Sequence, residues 1–463
     1  MKKFDLVVIG SGPGGYRAAV LAALRGLKVA IVEKEEWGGC CLNRGCVPKK
    51  AWYHSARLIA ASRDFAVRGI RGTLHGDLPG AWRHQRQVVV SVRESYTDYL
   101  RRLGVKAFQG AARFAGRDTI AIGDSTRVVA DHVIIATGSE PFVPGNLQCA
   151  QGRVLTTDDL FNHEPPAGKR VAVIGSGVIG TEFAFILGML GLEVVWLMHQ
   201  EPLSRSAYSV PARKALLGAL AAHGIRPRTA SRVVAAEIGA GGVVLALPDG
   251  SHEHADWVLL GTGRIPHTAG LDLAAAGVDV GAGGFIKVDD YQQTTASSIY
   301  AIGDVANPAM TSNHALAEAA VAVGNIIAAK SHRRDDDAIP EVTYSALELA
   351  RIGLNEDGAE AKGYEPATGF TAFEANPAAL GEGDARGFVR IVTDMDSGKL
   401  LGAEIVGRDA GELIHLPGLD FGSADALKRL AGMAYNHPTR AEEILNATET
   451  LAAKWGLGAR IFG

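Results

Sequence analysis

Short apolar runs alternate with helix-like patterns along the first two thirds of the chain. Phe4 to Ile9 is an apolar run ended by Gly10, the signature of a buried parallel strand. Tyr16 to Arg25 reads as a helix, and Lys28 to Val32 as a second buried strand. These three segments predict a β–α–β unit. The same order returns between Arg170 and Leu197: VAVIG, a glycine turn, TEFAFILGMLG, then EVVWL. Two such units imply two nucleotide-binding domains. Trp82 to Leu103 is polar with apolar residues near every 3.6 positions, which predicts a helix. From Ile339 the pattern changes to short β-like runs, GFVRIVTD and KLLGAEIVG, followed by helical stretches. A third domain is expected there, with SHRRDDDA at Ser331 to Ala338 as its linker.

Length agrees with that division, since 463 residues at roughly 150 per domain give three. Lys and Arg number 47 against 50 Asp and Glu, a net charge of −3 with no long block of one sign. A binder of nucleic-acid backbones is therefore not expected. Apolar residues are 47% of the chain, enough for a large core. The start, MKKFDLVVIG, imitates a signal peptide, but Asp5 interrupts a short apolar run and glycines follow at once. No run of 18 apolar residues exists, so no membrane association is expected and a cytoplasmic location is. The four cysteines form no secretory disulfide framework, yet Cys40, Cys41 and Cys46 lie within seven residues. Such clustering in a cysteine-poor chain points to catalysis or metal.

Gly10, Gly12 and Gly15 match G-x-G-x-x-G between the first strand and helix. Glycines there permit the tight turn and let a pyrophosphate reach the helix N-terminus, where free N–H groups favour anions. Glu33 closes the second strand 23 residues after Gly10, where an acid accepts hydrogen bonds from ribose hydroxyls. Gly175, Gly177 and Gly180 repeat the fingerprint. There the same offset falls on Met198, so the ribose-reading acid is missing, while His199, Gln200 and Arg205 stand nearby. Neither an acid against a 2′-phosphate nor a clear basic cluster for one is present, so NAD and NADP are both open on local grounds. In GGCCLNRGCVPKK, Cys41 and Cys46 are spaced C-x4-C. A helix with a local distortion lets such a pair close a small ring. Zinc wants a further Cys or His pair close in sequence, and none exists, so a redox dithiol is expected and no metal.

Taken with these motifs, the sequence resembles the flavin-dependent pyridine nucleotide-disulfide oxidoreductases essentially end to end, and most closely the dihydrolipoamide dehydrogenases among them. GSGPGGYRAAVLAALRGLKVAIVEK and CLNRGCVPKK carry the likeness. It implies an α/β fold: two Rossmann-like dinucleotide-binding domains, for FAD and NAD, plus an α+β C-terminal dimerisation domain. The expected boundaries are 1–147 with 268–336 for FAD, 148–267 for the nicotinamide, and 337–463 for the interface. The resemblance implies that Cys41 exchanges with substrate and Cys46 contacts the flavin. It places Lys50 near the flavin N5, paired with Glu182. Ala136-Thr137-Gly138 and Tyr300-Ala301-Ile302-Gly303-Asp304 match flavin motifs, with Asp304 on the ribitol chain. Gly110, Thr137 and Gly138 join Gly10, Gly12, Gly15 and Glu33 as expected FAD contacts. Gly175, Gly177, Gly180, Glu182, Met198 and Gly263, the last from GTGRIP, fall on the nicotinamide side.

His437-Pro438-Thr439-Arg440-Ala441-Glu442 resembles the family's H-P-T-x-S-E. The resemblance makes His437 a base oriented by Glu442, entering from the partner subunit of a homodimer. A carboxylate beside an imidazole fixes the tautomer and supports imidazolium. Ala410-Gly411-Glu412-Leu413-Ile414 with GAEIVG looks like the lipoamide enzymes. The absence of any cysteine after Cys149 argues against mercuric and large thioredoxin reductases. Lys49 for serine, Cys40 for threonine and Met198 for the acid are departures. Pro417-Gly418 should break or delay a helix that is smooth in the family. The implied reaction is oxidation of a protein-bound dihydrolipoyl group through Cys41–Cys46 and FAD to NAD. The alternatives are an NADPH-dependent reductase of a small disulfide and, more remotely, a non-enzymatic flavin-binding scaffold subunit.

Overall fold

The computed structural model describes residues 1–150 and 152–463. Its contacts resolve two compact units. The first comprises 1–52, 79–166 and 262–334; the second comprises 53–78, 167–261 and 335–463. The break between Arg334 and Asp335 falls inside the expected linker. The first half of that linker is tied down: Asn325 Nδ2 donates to the His332 carbonyl at 2.7 Å.

In the first unit, β1 (Lys2–Ile9), α1 (Pro13–Leu24) and β2 (Val29–Glu33) form the expected β–α–β unit. Next come α2 (Gly39–Arg44), α3 (Cys46–Ala61), whose residues from 53 on belong to the second unit, and α4 (Leu78–Arg102), in the first unit from residue 79, followed by β3 (Lys106–Gln109), β4 (Ala112–Phe114), β5 (Thr119–Ile122) and β6 (Thr126–Ile135). The sheet order is β3-β2-β1-β6-β5-β4, and strand Ile299–Ala301 pairs in parallel with β6. Residues buried on both faces explain the continuous apolar runs. Val7, Ile9, Val32 and Ile135 pack into one core, and Leu6, Val8, Ile31 and Ile134 into another. The second core takes Ala18, Ala19 and Ala22 of α1 and Ala319, Ala322 and Val323 of helix Ser312–Ile327. Small residues on both helices are what let them approach the sheet closely.

The second unit repeats the parallel arrangement with strands Pro227–Arg228, Glu193–Leu197, Arg170–Ile174 and Trp257–Leu260 in that order. Helix Val178–Met189 is its α-element. Its C-terminal part is an antiparallel sheet ordered Glu341–Tyr344, Glu348–Gly353, Leu400–Val406, Phe388–Asp394, Pro366–Ala372. Helix Glu442–Trp455 covers it through Ile444, Ala447 and Leu451. A Cβ on Gly369 would lie 2.1 Å from the Ala447 carbonyl, so only glycine allows that close packing.

Together these make the α/β fold with two Rossmann-like domains and an α+β C-terminal domain. At Pro417 the helix is interrupted as expected: Ala410–Leu413 and His415–Gly418 are separate turns meeting at Ile414. Proline has no N–H for the Leu413 carbonyl, which accounts for the break. The chain still coils onward, with Leu419 N donating to the His415 carbonyl at 3.0 Å. Among the described residues no helix is long and apolar enough to cross a membrane.

Candidate active site

The first glycine loop is held by sterics. Gly10 has φ +102°, and a Cβ there would sit 2.3 Å from the Ala136 carbonyl. A Cβ on Gly15 would sit 2.0 Å from the Gly10 carbonyl, whereas Gly12 faces open space. Gly12 caps α1 with no side-chain hydrogen bond, so the first N–H groups of the helix are left for an anion. That open cradle over a helix N-terminus fits the pyrophosphate of FAD. Glu33 is buried, and its Oε2 accepts from Ser11 N at 2.9 Å and Ser11 Oγ at 2.6 Å. Its Oε1 accepts from Glu35 N at 2.9 Å. Gly110 N donates to the Glu33 carbonyl at 2.8 Å, which places Gly110 beside the acid.

Thr137 and Gly138 follow β6, and Thr137 Oγ1 donates to the His267 carbonyl at 2.7 Å. Asp304 lies in the 3₁₀ turn Gly303–Val305, where its Oδ2 accepts from Ser139 Oγ at 2.6 Å. Arg264 Nε donates to that same Ser139 oxygen at 2.7 Å. Beneath the turn lies a fully buried acid, Glu318, which accepts from Gly303 N and Asn307 Nδ2, both at 2.6 Å. Sequence reading missed Ser139, Arg264 and Glu318. The signal for Glu318 was a lone charge on the small-residue face of ALAEAAVAVGNI.

Between Cys41 and Cys46 lies the expected distortion. α2 ends at Arg44, α3 begins at Cys46, and Gly45 between them has φ −135° and ψ −111°. A Cβ on Gly45 would be 3.2 Å from both the Cys40 carbonyl and Cys41 Cα, a tight contact to which its neighbours would have to give way. Both cysteines stand as free thiols. Cys46 Sγ lies 3.4 Å from Ser312 Oγ, a neighbour that sequence reading did not find. The Cys46 sulfur beside it, reinforced by burial, holds the Cys41 thiol well above the usual range. Burial pushes the Cys40 thiol up to about 12, against the pull of the Arg264 guanidinium. Asn43 fixes the start of α2 by donating to the Gly39 carbonyl at 2.8 Å, and accepts from Arg93 of α4 at 2.6 Å. Lys50 lies one turn beyond Cys46 on α3.

The second unit holds the other residues. Gly175 has φ +138°, with a Cβ position 2.2 Å from the Gly261 carbonyl. Gly177 opens its helix uncapped with nothing within 4 Å, and a Cβ on Gly180 would lie 2.2 Å from the Gly175 carbonyl. This is the geometry of the first loop again, and it fits a second dinucleotide. Met198 is buried, with its backbone bonded to Arg228 and Ser231. Arg205 donates to Gln200 Oε1 at 2.9 Å. Glu182 is buried on the helix, and its Oε1 accepts from Tyr344 N at 2.9 Å. Gly263, expected on the nicotinamide side, falls in the first unit, where its carbonyl accepts from Phe142 N at 2.9 Å.

His437 Nδ1 lies 2.9 Å from Glu442 Oε1, and the His437 side chain is 70% exposed. Glu442 Oε2 accepts from Thr439 N at 2.7 Å. That N–H, then His437, draws the Glu442 carboxyl below its usual range. The His437–Pro438 bond is cis. With Nδ1–H given to a charged carboxylate, Nε2 is the outward-facing basic atom. Among the described residues no cluster of His, Cys, Asp and Glu could hold a metal ion.

The pyridine nucleotide-disulphide oxidoreductase model matches residues 4–324, and the dimerisation-domain model of that family matches residues 339–448. The chain belongs to this family of flavin-dependent enzymes. Dihydrolipoyl dehydrogenase of Thermus scotoductus is 36% identical, over 97% of this chain and 98% of that protein. Leghemoglobin reductase of Vigna unguiculata is 33% identical, over 96% and 86%. Among solved structures, LpdA of Mycobacterium tuberculosis shares the fold with a TM-score of 0.88 at 24% identity, covering 97% of this chain and 99% of that one. The HOCl-induced flavoprotein disulfide reductase RclA of Escherichia coli does so with 0.83 at 24%, covering 96% and 99%.

Proposed function

We propose that the chain is a dihydrolipoyl dehydrogenase-type flavoenzyme that oxidises protein-bound dihydrolipoyl groups and reduces NAD, working as a cytoplasmic homodimer. The observation that carries this reading is the Cys41–Gly45–Cys46 kink in the same unit as the Gly10 cradle and Asp304. The end-to-end likeness to dihydrolipoyl dehydrogenases supports the substrate class. Residues 1–147 with 268–336 take FAD, 148–267 take the nicotinamide, and 337–463 form the interface. Gly10, Gly12, Gly15, Glu33, Gly110, Thr137, Gly138 and Asp304 hold FAD, with Lys50 near its reactive ring.

A substrate thiolate attacks the Cys41 sulfur of the oxidised pair, and Cys46 leaves as thiolate. The second substrate thiol then displaces Cys41 and closes the substrate disulfide, so the electron pair rests on Cys41 and Cys46. Attack needs a thiolate, so a base matters near neutral pH. Nε2 of the partner subunit's His437 takes that proton while the partner's Glu442 holds the ring. The raised Cys41 thiol fits this division, since two adjacent thiolates repel one another. FAD, when bound, supplies the two-electron carrier between the dithiol and the nicotinamide. The test is turnover of dihydrolipoamide with NAD. A second reading, an NADPH-driven reductase of a small disulfide, is favoured by Met198 where an acid would repel the 2′-phosphate. Turnover of a small disulfide with NADPH, and none of lipoamide, selects it.

A further inference from the structure

A ladder of side chains runs from the redox loop to the flavin turn, and nothing in the proposed mechanism uses its middle rung. Arg44 lies between the two redox cysteines. Its Nε stands 3.3 Å from Asp158 Oδ2, and its outer nitrogens reach Glu35 at 3.0 Å and Glu36 at 3.6 Å. On the other side, Asp158 Oδ1 lies 3.5 Å from Arg264 Nη1. Arg264 Nε donates to Ser139 Oγ at 2.7 Å and Nη2 to the Ser139 carbonyl at 2.8 Å. Ser139 Oγ–H donates in turn to Asp304 Oδ2 at 2.6 Å.

The rungs are sheltered: side-chain exposure is 15% for Arg44, 24% for Asp158 and 12% for Arg264. In such surroundings each guanidinium needs its carboxylate, and removing one partner strands the other. Arg44 has two further acids. Among the described residues Asp158 is the one acid within ion-pair distance of Arg264, so Asp158 holds the angle at which Arg264 meets Ser139. Cys40 sits within the field of all three charged groups.

We propose that Asp158 is a positioning residue, the shared anchor through which Arg44 of the redox loop and the Arg264–Ser139–Asp304 relay of the flavin turn are held in register. It acts by orienting the Asp304 carboxylate at one end and, at the other, by holding the Arg44 guanidinium at the end of α2, two residues before Cys46. FAD affinity and the redox equilibrium of Cys41–Cys46 are therefore coupled through a residue that belongs to neither site. The proposal rests on the flavin assignment and is independent of the substrate.

The test uses full-length apoprotein reconstituted with FAD, comparing wild type, Asp158→Asn and Asp158→Glu. Two quantities are read: the FAD dissociation constant, and the Cys41–Cys46 equilibrium against a reference dithiol. Asp158→Asn keeps the shape and removes the charge. It should weaken FAD roughly tenfold, as the loss of one charged contact does. Lost negative charge favours thiolates, so the pair should also shift toward the dithiol by at least about threefold. Asp158→Glu should recover part of both. If Asp158→Asn folds and neither quantity moves, or if FAD weakens while the thiol equilibrium stays at the wild-type value, the coupling is refuted. Should Asp158→Asn fail to fold, Arg44→Gln cuts the loop end alone. It should weaken FAD at least about threefold through the relay, and unchanged FAD affinity overturns the proposal. A wild-type apoprotein that takes up no FAD would instead refute the flavin assignment.

Discussion

The two glycine loops have nearly the same backbone and different ends. At Gly10 and at Gly175 a Cβ would strike a carbonyl, at 2.3 Å and 2.2 Å, and each helix opens uncapped toward open space. What differs is the end of the following strand. In the first unit Glu33 is buried and braces the loop through Ser11 N and Oγ. In the second unit the equivalent place is Met198, and a different group steadies the turn: Trp196 Nε1 donates to the Gly175 carbonyl at 2.8 Å. Pyrophosphate binding needs only the backbone, so the two loops share it. Reading a ribose needs a side chain, and the two strand ends offer different ones, a carboxylate at Glu33 and a thioether at Met198. In the proposed function the first unit takes FAD and the second takes a nicotinamide dinucleotide with a weaker choice between NAD and NADP.

If the dithiol and nicotinamide steps are separate in this way, a lesion that touches only one of them should spare the other half-reaction. The largest effect is expected from His437→Gln. Loss of a general base costs roughly 100- to 10,000-fold, so flavin reduction by dihydrolipoamide should fall by that range. Flavin reduction by NADH, followed by stopped flow, should be unchanged. A loss below tenfold would make the histidine structural.

Next come the glycines. Gly10→Ala and Gly175→Ala each force a strained φ and a clash with a carbonyl. The first should lower bound flavin at least about tenfold. The second should leave the protein yellow and weaken nicotinamide binding by a similar factor. Loss of flavin from both variants would erase the division between the loops.

Met198→Glu restores the missing acceptor. One hydrogen bond to a ribose hydroxyl is worth about 0.5–1.5 kcal/mol, so NAD should bind roughly 2- to 13-fold tighter, and any NADP activity should fall. Strong native preference for NADP, abolished by Arg205→Ala, would break the NAD assignment instead. The smallest effect belongs to Cys40. With its thiol pushed up to about 12 by burial, Cys40 stays protonated at pH 8. In mass-spectrometric mapping of the reduced protein it should alkylate after the exposed Cys46. Cys40→Thr should leave turnover and resistance to over-oxidation unchanged.

Both β–α–β units were legible because their strands are buried on two faces and their turns need glycine, which leaves a local trace. The dithiol was legible from C-x4-C, and the kink at Gly45 is what that spacing needed. Helix Leu78–Arg102 was found with its first turn missed, since LPGA carries no helical period. Ser139, Asp158, Arg264, Glu318 and Ser312 were not found. Each acts on a partner more than a dozen residues away in sequence, such as Ser139 on Asp304, and no local spacing encodes such a pair. Resemblance alone supplied the role of His437, because one of 14 histidines is anonymous until its carboxylate is placed beside it.

The most direct measurement is an anaerobic titration of the FAD-loaded protein with dihydrolipoamide, followed by absorbance. A Cys46 thiolate against an oxidised flavin should give a long-wavelength charge-transfer band at two electrons per subunit. In Cys46→Ser the band should vanish while bound FAD stays at the wild-type level. A band that persists in Cys46→Ser, or a wild-type flavin that dihydrolipoamide leaves unchanged, would contradict electron entry through Cys41 and Cys46.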